Sequence, residues 1–286
     1  MVLCEPSVAL CVTKNEELTQ SNTEAAQSYT EEIHWILSVL SENFSIFEGK
    51  GFFIYKDMRK LVVLTGAGMS SESGIKTFRD SGGLWEEYDV NEVATPRAWA
   101  KNKDLVLRFY NERRRQLESS KPNKGHLGLA QLEKYFDVQI ITQNIDDLHE
   151  RAGSTKILHL HGELTKARST VDKSLIYDIG YKDINPDDCC EKGSQLRPHI
   201  VWFGEEVPTM DEAANLTGNA DIFVVVGSSL NVYPAAGLIN YAPAKASLWL
   251  IDPKEVVIPI NRKVEVIMEM ASTGIGILTE RLLKMT

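Results

Sequence analysis

Short apolar runs, bounded by polar or glycine-rich turns, recur along the chain, and stretches with helical spacing separate several of them. The first run covers residues 61–64, and later ones cover 138–142, 222–226 and 248–251. Because these runs are unbroken and rich in β-branched residues, they predict strands that are buried on both faces. Strands that alternate with helices predict an α/β fold with a doubly wound parallel sheet.

Two stretches depart from this pattern. Residues 1–57 include a polar segment rich in Glu, Ser, Thr and Gln, which is typical of a mobile chain. Because Met58-Arg59-Lys60 directly precedes the first strand, we expect 1–57 to be an N-terminal extension, mobile or not native, and 58–286 to be the main domain. A polar, irregular stretch over about 164–200 predicts a small inserted subdomain.

Composition narrows the class of protein. The 286 residues carry a formal charge of −9, which argues against a nucleic-acid binder, and no apolar stretch is long enough for a membrane span. The four cysteines, Cys4, Cys11, Cys189 and Cys190, lack the paired spacing of a zinc site and are too few for a disulfide framework. We therefore expect no metal and a cytoplasmic location.

A glycine-rich turn, Thr65-Gly66-Ala67-Gly68, follows the first predicted strand. Glycine allows backbone conformations and close ligand approach that other residues forbid, and N–H groups at a helix start favour anions. The turn therefore predicts a phosphate site, although a strand-to-helix turn without a ligand remains an alternative. The usual dinucleotide-binding fingerprint has a third glycine at the position that Ser71 occupies in this chain, so the match to that fingerprint is incomplete. The polar, glycine-containing stretch over 77–85 predicts a mobile loop that covers the ligand.

Two further strand ends carry small or polar residues. They are Gln143-Asn144-Ile145-Asp146 and Gly227-Ser228-Ser229. Each can be explained as turn chemistry alone. Ligands of open α/β sheets bind beyond the carboxyl ends of the strands, so the three ends together predict one extended, phosphate-bearing ligand.

His161 is the best candidate for a general base. It ends an apolar run and precedes Gly162, which leaves room beside the ring. The ordinary pKa of histidine, about 6.5, suits proton abstraction near neutrality. His159 lies on the same strand face, and His126, His149 and His199 have weaker cases. For any single histidine, a structural role remains the alternative.

Six motifs, taken in order, resemble those of the sirtuins, a family of NAD-dependent protein deacylases. The resemblance runs from about Met58 to the C-terminus and rests on Gly66-Ala67-Gly68-Met69-Ser70, Ser73-Gly74-Ile75, Phe78-Arg79, Gln143-Asn144-Ile145-Asp146, His159-Leu160-His161-Gly162 and Gly227-Ser228-Ser229-Leu230. It implies a Rossmann-like NAD-binding domain with NAD as co-substrate. The residues that it assigns to NAD are Gly66, Ala67, Gly68, Ser70, Phe78, Arg79, Trp85, Gln143, Asn144, Ile145, Asp146, Gly227, Ser228, Ser229 and Asp252.

The resemblance also implies a reaction. The amide oxygen of an acyl-lysine attacks the ribose carbon that bears nicotinamide, and His161 deprotonates a ribose hydroxyl. Asn144, which lines the pocket for the nicotinamide ribose, is the second catalytic residue that the resemblance implies. The products are free lysine, nicotinamide and O-acyl-ADP-ribose. The expected partners are acyl-lysine proteins or peptides. Val201, Trp202 and Phe203 resemble the apolar wall of the lysine channel, and Gly204 and Glu205 begin the edge that pairs with the substrate peptide.

Tyr110 and Arg113 resemble the Tyr-x-x-Arg of the sirtuin branch that removes succinyl and malonyl groups. Residues three apart share a helix face, and arginine and tyrosine together can bind a carboxylate. The alternative is that Arg113, in a run of three arginines, belongs to a solvated face.

Two features of the chain depart from the family pattern, and three other functions are alternatives to deacylation. The chain lacks the four zinc cysteines, so we expect packing to hold the small subdomain, and Lys76-Thr77 stands where Pro-Asp is commoner. A dehydrogenase is disfavoured by the missing third glycine and the His-Gly motif. An ADP-ribosyltransferase or NAD hydrolase would use the same pocket. A non-catalytic NAD sensor is disfavoured by intact His161, Asn144 and Asp146.

Overall fold

The computed structural model describes residues 58–76, 88–258 and 260–285. The predicted extension over 1–57 lies outside the described residues, and so do Phe78, Arg79 and Trp85 of the predicted covering loop. Within the described part of the chain, no helix combines the length and the apolar character that crossing a membrane requires.

Six parallel strands form the main sheet in the order β3-β2-β1-β7-β8-β9. Their bounds are β1 Lys60–Thr65, β2 Asp137–Thr142, β3 Ile157–His159, β7 Ile222–Val226, β8 Ser247–Ile251 and β9 Glu265–Ile267. The chain therefore extends the sheet to one side of β1 and later returns to the other side. The predicted α/β fold with a parallel sheet is confirmed.

Helices cover both faces of this sheet. Their bounds are α1 Gly68–Ser71, α2 Val90–Val93, α3 Pro96–Lys101, α4 Lys103–Ser119, α5 Lys124–Leu132, α6 Leu148–Arg151, α7 Met210–Gly218, a 3₁₀ helix Ala235–Tyr241, and α8 Ala271–Leu283. Val63 packs with residues of α5 and α8, whereas Val62 and Leu64 pack on the opposite side with residues of α7 and the 3₁₀ helix. Because successive strand residues face opposite layers, residues 61–64 of β1 are all apolar and buried.

A second, antiparallel sheet has the order β5-β4-β6. It consists of β4 Gly162–Ser169, β5 Ile176–Asp178 and β6 Leu196–Ile200. Its apolar residues Leu164, Ala167 and Ile200 share a core with Phe109 and Tyr110 of α4. The expectation that the chain over about 164–200 is irregular was wrong. These polar segments form strands because they pair with one another, and the local sequence pattern does not indicate this pairing. The boundaries proposed for a small subdomain stay a prediction.

Candidate active site

The carboxyl ends of the central strands are level with one another. The register pairs Thr65 with Thr142 and Val226, Thr142 with His159, and Val226 with Ile251. The residues that follow these positions therefore emerge along one rim of the sheet. β1 lies between β2 and β7, so the rim includes the point where the strand order reverses, which is where open α/β sheets bind ligands.

The glycine turn packs directly against the end of β7. Gly66 N donates to Val226 O at 3.0 Å, and Gly68 N donates to Gly227 O at 2.9 Å. A Cβ on Gly66 would lie 2.6 Å from Gly227 O, and a Cβ on Gly68 would lie 2.7 Å from Gly227 Cα. The two glycines thus allow the backbone of the turn to lie against the backbone at the end of β7. This packing requires glycine at both positions whether or not a ligand approaches the turn.

Three buried side chains, Ser70, Asn144 and Asp146, form a hydrogen-bonded cluster beneath this turn. Asn144 Nδ2 donates to Gly66 O and to Ser70 Oγ, both at 3.0 Å. Ser70 Oγ in turn donates to Asp146 Oδ2 at 2.9 Å. The cluster links the loop after β2 to the turn after β1, so that two of the predicted NAD-contacting segments hold each other in place.

The carboxyl of Asp146 is a weaker acid than an ordinary aspartate. It is 6 % exposed, and burial raises the pKa of its carboxyl from 3.8 to about 6, against the opposing effect of hydrogen bonds from Ser70 and Leu148 N. The carboxyl therefore ionises only as the pH rises through about 6, and its negative charge is then held in a buried environment. The neighbouring groups are amides, hydroxyls and backbone N–H groups, so this donor set suits the phosphates and ribose hydroxyls of a dinucleotide.

His161 and His159 both contact the carbonyls of the loop after β2. His161 Nδ1 lies 2.9 Å from Gln143 O and His159 Nδ1 lies 3.2 Å from Asn144 O. A carbonyl can only accept, so both Nδ1 atoms carry protons. Burial lowers the pKa of His161, and its hydrogen bond to Gln143 O offsets part of that shift. A neutral His161 therefore presents Nε2 as a base.

His159 is in the opposite state. Its Nε2 lies 2.8 Å from Glu150 Oε1. Burial alone lowers the pKa of His159, but the hydrogen bond and the charge of Glu150 raise it above the ordinary value. With both nitrogens donating, His159 is a cation that orients Asn144 and is poorly suited to accept a proton.

The remaining strand ends contribute polar groups to the same rim. Gln143 Nε2 donates to the buried Ser228 Oγ at 3.0 Å, which joins the ends of β2 and β7. Ser229 is exposed. Asp252 follows β8, and its Oδ1 accepts from Lys254 N at 2.9 Å. Ile145 is half-buried and packs against the core shared by α4 and the small sheet.

Two histidines that the sequence analysis ranked low lie buried beneath the glycine turn. The rings of His126 and His149 are 4.8 Å apart, and His149 Nε2 lies 3.1 Å from Thr65 Oγ1. Burial lowers the pKa of His126 to about 4 and that of His149 well below its ordinary value. Both rings are therefore neutral and structural. Nothing in the local sequence distinguishes them, because their burial depends on α5 packing against α6.

The predicted acyl-reading residues lie on α4. Tyr110 is 3 % exposed, and its hydroxyl accepts a hydrogen bond from Trp202 Nε1 at 3.0 Å. Burial raises the pKa of Tyr110, so the phenol keeps its proton. The guanidinium of Arg113 lies 5.0 Å from the ring centroid of Phe109. Its Nε and Nη1 are buried and have no hydrogen-bond partner among the described residues.

The predicted lysine-channel segment follows β6. Val201 N donates to His161 O at 2.9 Å, which ties this segment to the candidate base. Val201 is half-buried and Phe203 is 48 % exposed, whereas Trp202 is 2 % exposed and turns inward to Tyr110. Gly204 has a φ of +90°, in the region that favours glycine.

The Glu205 carboxylate is held by two arginines. Arg197 Nη1 lies 2.8 Å from Glu205 Oε1, and Arg168 Nη2 lies 3.2 Å from the same oxygen. Glu205 Oε2 also accepts from Trp202 N at 2.8 Å. The side chain is thus occupied within the protein, and the predicted substrate contact at Glu205 rests on its backbone. Neither arginine was predicted from the sequence, because they lie 37 and 8 positions before Glu205 and no local pattern links them to it.

Among the described residues, no group of three or more His, Cys, Asp or Glu side chains is arranged to hold a metal ion. Cys190 Sγ lies instead 3.3 Å from Ser169 Oγ and 3.1 Å from Ser194 Oγ. The expectation of a metal-free subdomain stays a prediction.

Comparison with known proteins gives consistent matches. A family model described as Sir2 family matches residues 66–234. A protein of Bacteroides thetaiotaomicron named NAD-dependent protein deacylase is 53 % identical over 234 residues, covering 79 % of this chain and 99 % of that protein. A protein of the same name from Helicobacter pylori is 52 % identical over 228 residues, covering 80 % of this chain and 97 % of that one.

Solved structures agree with these matches. A Sir2 homologue mutant in complex with ADP-ribose superposes with a TM-score of 0.73 at 38 % identity, covering 80 % of this chain and 93 % of the other. A Sir2 homologue in complex with NAD has a TM-score of 0.72 at 37 % identity, with 80 % and 91 % covered. A Sir2 mutant with a deacetylated p53 peptide and 3′-O-acetyl-ADP-ribose has a TM-score of 0.68 at 30 % identity, with 79 % and 94 % covered.

Proposed function

The chain belongs to the Sir2 family, and from this premise we propose that it removes acyl groups, acidic ones included, from protein lysine side chains. It is an NAD-dependent protein deacylase with NAD as co-substrate. The observation that carries the proposal is the rim itself. His161 Nε2, free to act as a base, lies beside the loop whose Asn144 and Asp146 are hydrogen-bonded to Ser70 of the glycine turn.

NAD would supply an electrophilic ribose carbon, to which the acyl oxygen of the lysine amide can bond as the bond from that carbon to nicotinamide breaks and nicotinamide leaves. An amide oxygen is a weak nucleophile, so positioning and exclusion of water must supply much of the rate. Gln143, Asn144 and Asp146 orient the ribose end, and Val201 and Phe203 flank the lysine. His161 Nε2 accepts a proton from a ribose hydroxyl, and the resulting positive charge is stabilised by the hydrogen bond from Nδ1 to Gln143 O.

Acidic acyl groups are the finer part of the proposal. Tyr110 and Arg113 are three residues apart on α4, and buried donor atoms of Arg113 lack a partner among the described residues. An unpaired buried donor costs about 1–3 kcal/mol, a cost that an incoming carboxylate removes. This observation supports succinyl and malonyl groups as substrates. It also disfavours the solvated-face alternative, because Arg113 is 15 % exposed whereas Arg115, two residues on, is 54 % exposed.

The test is an NAD-dependent assay on peptides bearing acetyl-, malonyl- or succinyl-lysine, with nicotinamide and O-acyl-ADP-ribose as the measured products. Arg113→Met should lower kcat/KM for the succinyl and malonyl peptides by about 10²-fold or more, since it removes a charge-assisted bidentate contact. The acetyl peptide should change by only a few fold. Arg115→Met is the matched control, because Arg115 pairs with Asp183 on the surface.

His161→Ala should abolish turnover of all three peptides. Equal losses on acetyl and succinyl peptides in Arg113→Met would contradict the acidic-acyl preference. Release of free ADP-ribose, or label transferred to protein without deacylation, would instead identify an NAD hydrolase or an ADP-ribosyltransferase.

A further inference from the structure

The indole N–H of Trp202 makes a hydrogen bond that the predicted reaction does not use. Trp202 follows β6, and its Nε1 donates to the Tyr110 hydroxyl at 3.0 Å across 92 positions of the chain. An indole can only donate, so the phenol oxygen must accept this bond. The phenol proton is thereby left for a different acceptor.

Among the described residues, which include α4, the small sheet and the neighbouring strand ends, the Tyr110 hydroxyl has a donor in Trp202 but no acceptor for its own proton. Tyr110 is buried, so an unused donor there is costly. Arg113, one turn further along α4, has unpaired donor atoms as well. The Tyr110 hydroxyl and the Arg113 guanidinium are thus two unpaired donors within one turn of α4 in the described part of the chain. A carboxylate has two oxygens and can accept a hydrogen bond from each.

The indole itself is fixed on two sides. The guanidinium of Arg197 stacks 3.2 Å from the centroid of its ring, and Trp99 packs against it with a centroid separation of 5.8 Å. Trp202 N is hydrogen-bonded to the Glu205 carboxylate that also binds Arg197. Because ring and backbone are both held, the indole N–H has a fixed direction toward Tyr110.

We propose that Trp202 is a positioning residue for acyl specificity, which directs the Tyr110 proton toward the carboxylate of a succinyl or malonyl group. The inference rests on the proposed function, since it needs an acidic acyl substrate. Donation from the indole also polarises the phenol, and in hydrogen-bond chains each bond strengthens the next. The Arg197–Glu205 pair thereby connects the small sheet to substrate choice.

The test is a double-mutant cycle of Trp202→Phe and Tyr110→Phe, with KM and kcat measured on succinyl- and acetyl-lysine peptides. Trp202→Phe keeps an aromatic ring over Arg197 and removes the N–H. It should raise KM for the succinyl peptide about fivefold to tenfold more than it raises KM for the acetyl peptide, the equivalent of one neutral hydrogen bond. In the Tyr110→Phe background the Trp202→Phe effect on the succinyl peptide should disappear.

Equal losses on both peptides would show a purely structural tryptophan and overturn the inference. A Trp202→Phe effect that persists undiminished without the Tyr110 hydroxyl would overturn it too. If Trp202→Phe does not fold, a benzothienylalanine isostere at position 202, which keeps the bicyclic shape and lacks the N–H, decides by the same criteria. A wild-type enzyme inactive on succinyl and malonyl peptides would overturn the acyl preference and this inference together, whereas equal losses with intact wild-type desuccinylation overturn this inference alone.

Discussion

Single side chains at the rim are set to different protonation states by their surroundings. His159 donates from both nitrogens and is held as a cation by Glu150, whereas His161 donates only from Nδ1 and is neutral. Asp146, which is buried among neutral donors, has a raised pKa. Pairs of titratable groups with divergent pKa values are typical of catalytic sites, and here the neutral imidazole is the one suited to act as a base.

The Asp146→Asn variant tests how much stability the protein loses by burying the ionisable carboxyl of Asp146. The pKa of Asp146 is about 6 in the folded protein and 3.8 in the reference state, so the folded protein binds more protons between these values and stability falls as pH rises through them. Above pH 6 the ionised carboxylate destabilises the fold, by at most about 3 kcal/mol. The variant should therefore match or exceed the wild type in stability at pH 7.5 and lose this advantage near pH 4, while its kcat/KM falls about tenfold or more.

Urea unfolding at several pH values and steady-state kinetics with NAD measure the two effects. Ser71→Ala is a suitable control, because its hydroxyl bonds only to the local Gly68 carbonyl in the described structure. A variant that is less stable than the wild type by the same amount at pH 4 and pH 7.5 would refute the raised pKa.

The elements around the sheet depend on a few close contacts that only glycine permits. α8 packs Ile275, Leu278 and Leu282 into the core shared with β1 and β8. At Gly274 the helix passes so close to β8 that a Cβ would lie 2.2 Å from Ile251 Cγ2. Gly276, two residues further along α8, has nothing within 4 Å of the same position. The two glycines differ only in what faces them.

Alanine at these two positions should have opposite effects on stability. Gly274→Ala forces α8 away from Ile251 and should cost about 1–3 kcal/mol, as overpacking of a core does. Gly276→Ala should stabilise the protein by about 0.5–1 kcal/mol, because glycine is the poorer helix former. Thermal or urea unfolding of both variants is the measurement. A loss of stability in Gly276→Ala equal to that in Gly274→Ala would mean that the clash is not the cause.

At the scale of the whole molecule, ion pairs connect the small sheet to the segment that follows it in the chain. Glu205 joins Arg168 of β4 and Arg197 of β6 to the segment that follows β6. Asn111 of α4 adds a second link, because its side chain bonds to both the N–H and the carbonyl of Ile184. The small sheet is thus attached to α4 and to the predicted lysine channel by side-chain contacts.

Removing the Glu205 charge tests this view. Glu205→Gln leaves two largely buried guanidinium groups without a counter-charge and should cost about 2–4 kcal/mol of stability, with a lower Tm and a raised KM for peptide. Glu206→Gln, at the adjacent exposed position, is the matched control and should be neutral. A chelator should change neither the Tm nor the activity of the wild type. A drop in Tm on chelation would contradict the account, since it would reveal a structural metal.

Part of the fold could be predicted from signals that lie within a few consecutive residues. An unbroken apolar run predicts a doubly buried strand such as β1, and glycine and small polar residues after a strand predict the rim, because both depend on backbone conformations of a few consecutive residues. The order of motifs then indicated the Sir2 family. Neither the apolar periodicity nor the turn chemistry could show how distant segments pair.

Features that join distant positions depend on how the chain packs in three dimensions. The small antiparallel sheet forms from polar segments, because each strand takes its hydrogen bonds from another part of the chain. The ion pairs of Glu205 with Arg168 and Arg197, the burial of His149 and the Trp202–Tyr110 bond likewise depend on side chains between 8 and 92 positions apart. Protonation states at the rim follow the same rule, since desolvation and partner charge are properties of the folded environment and not of the residue.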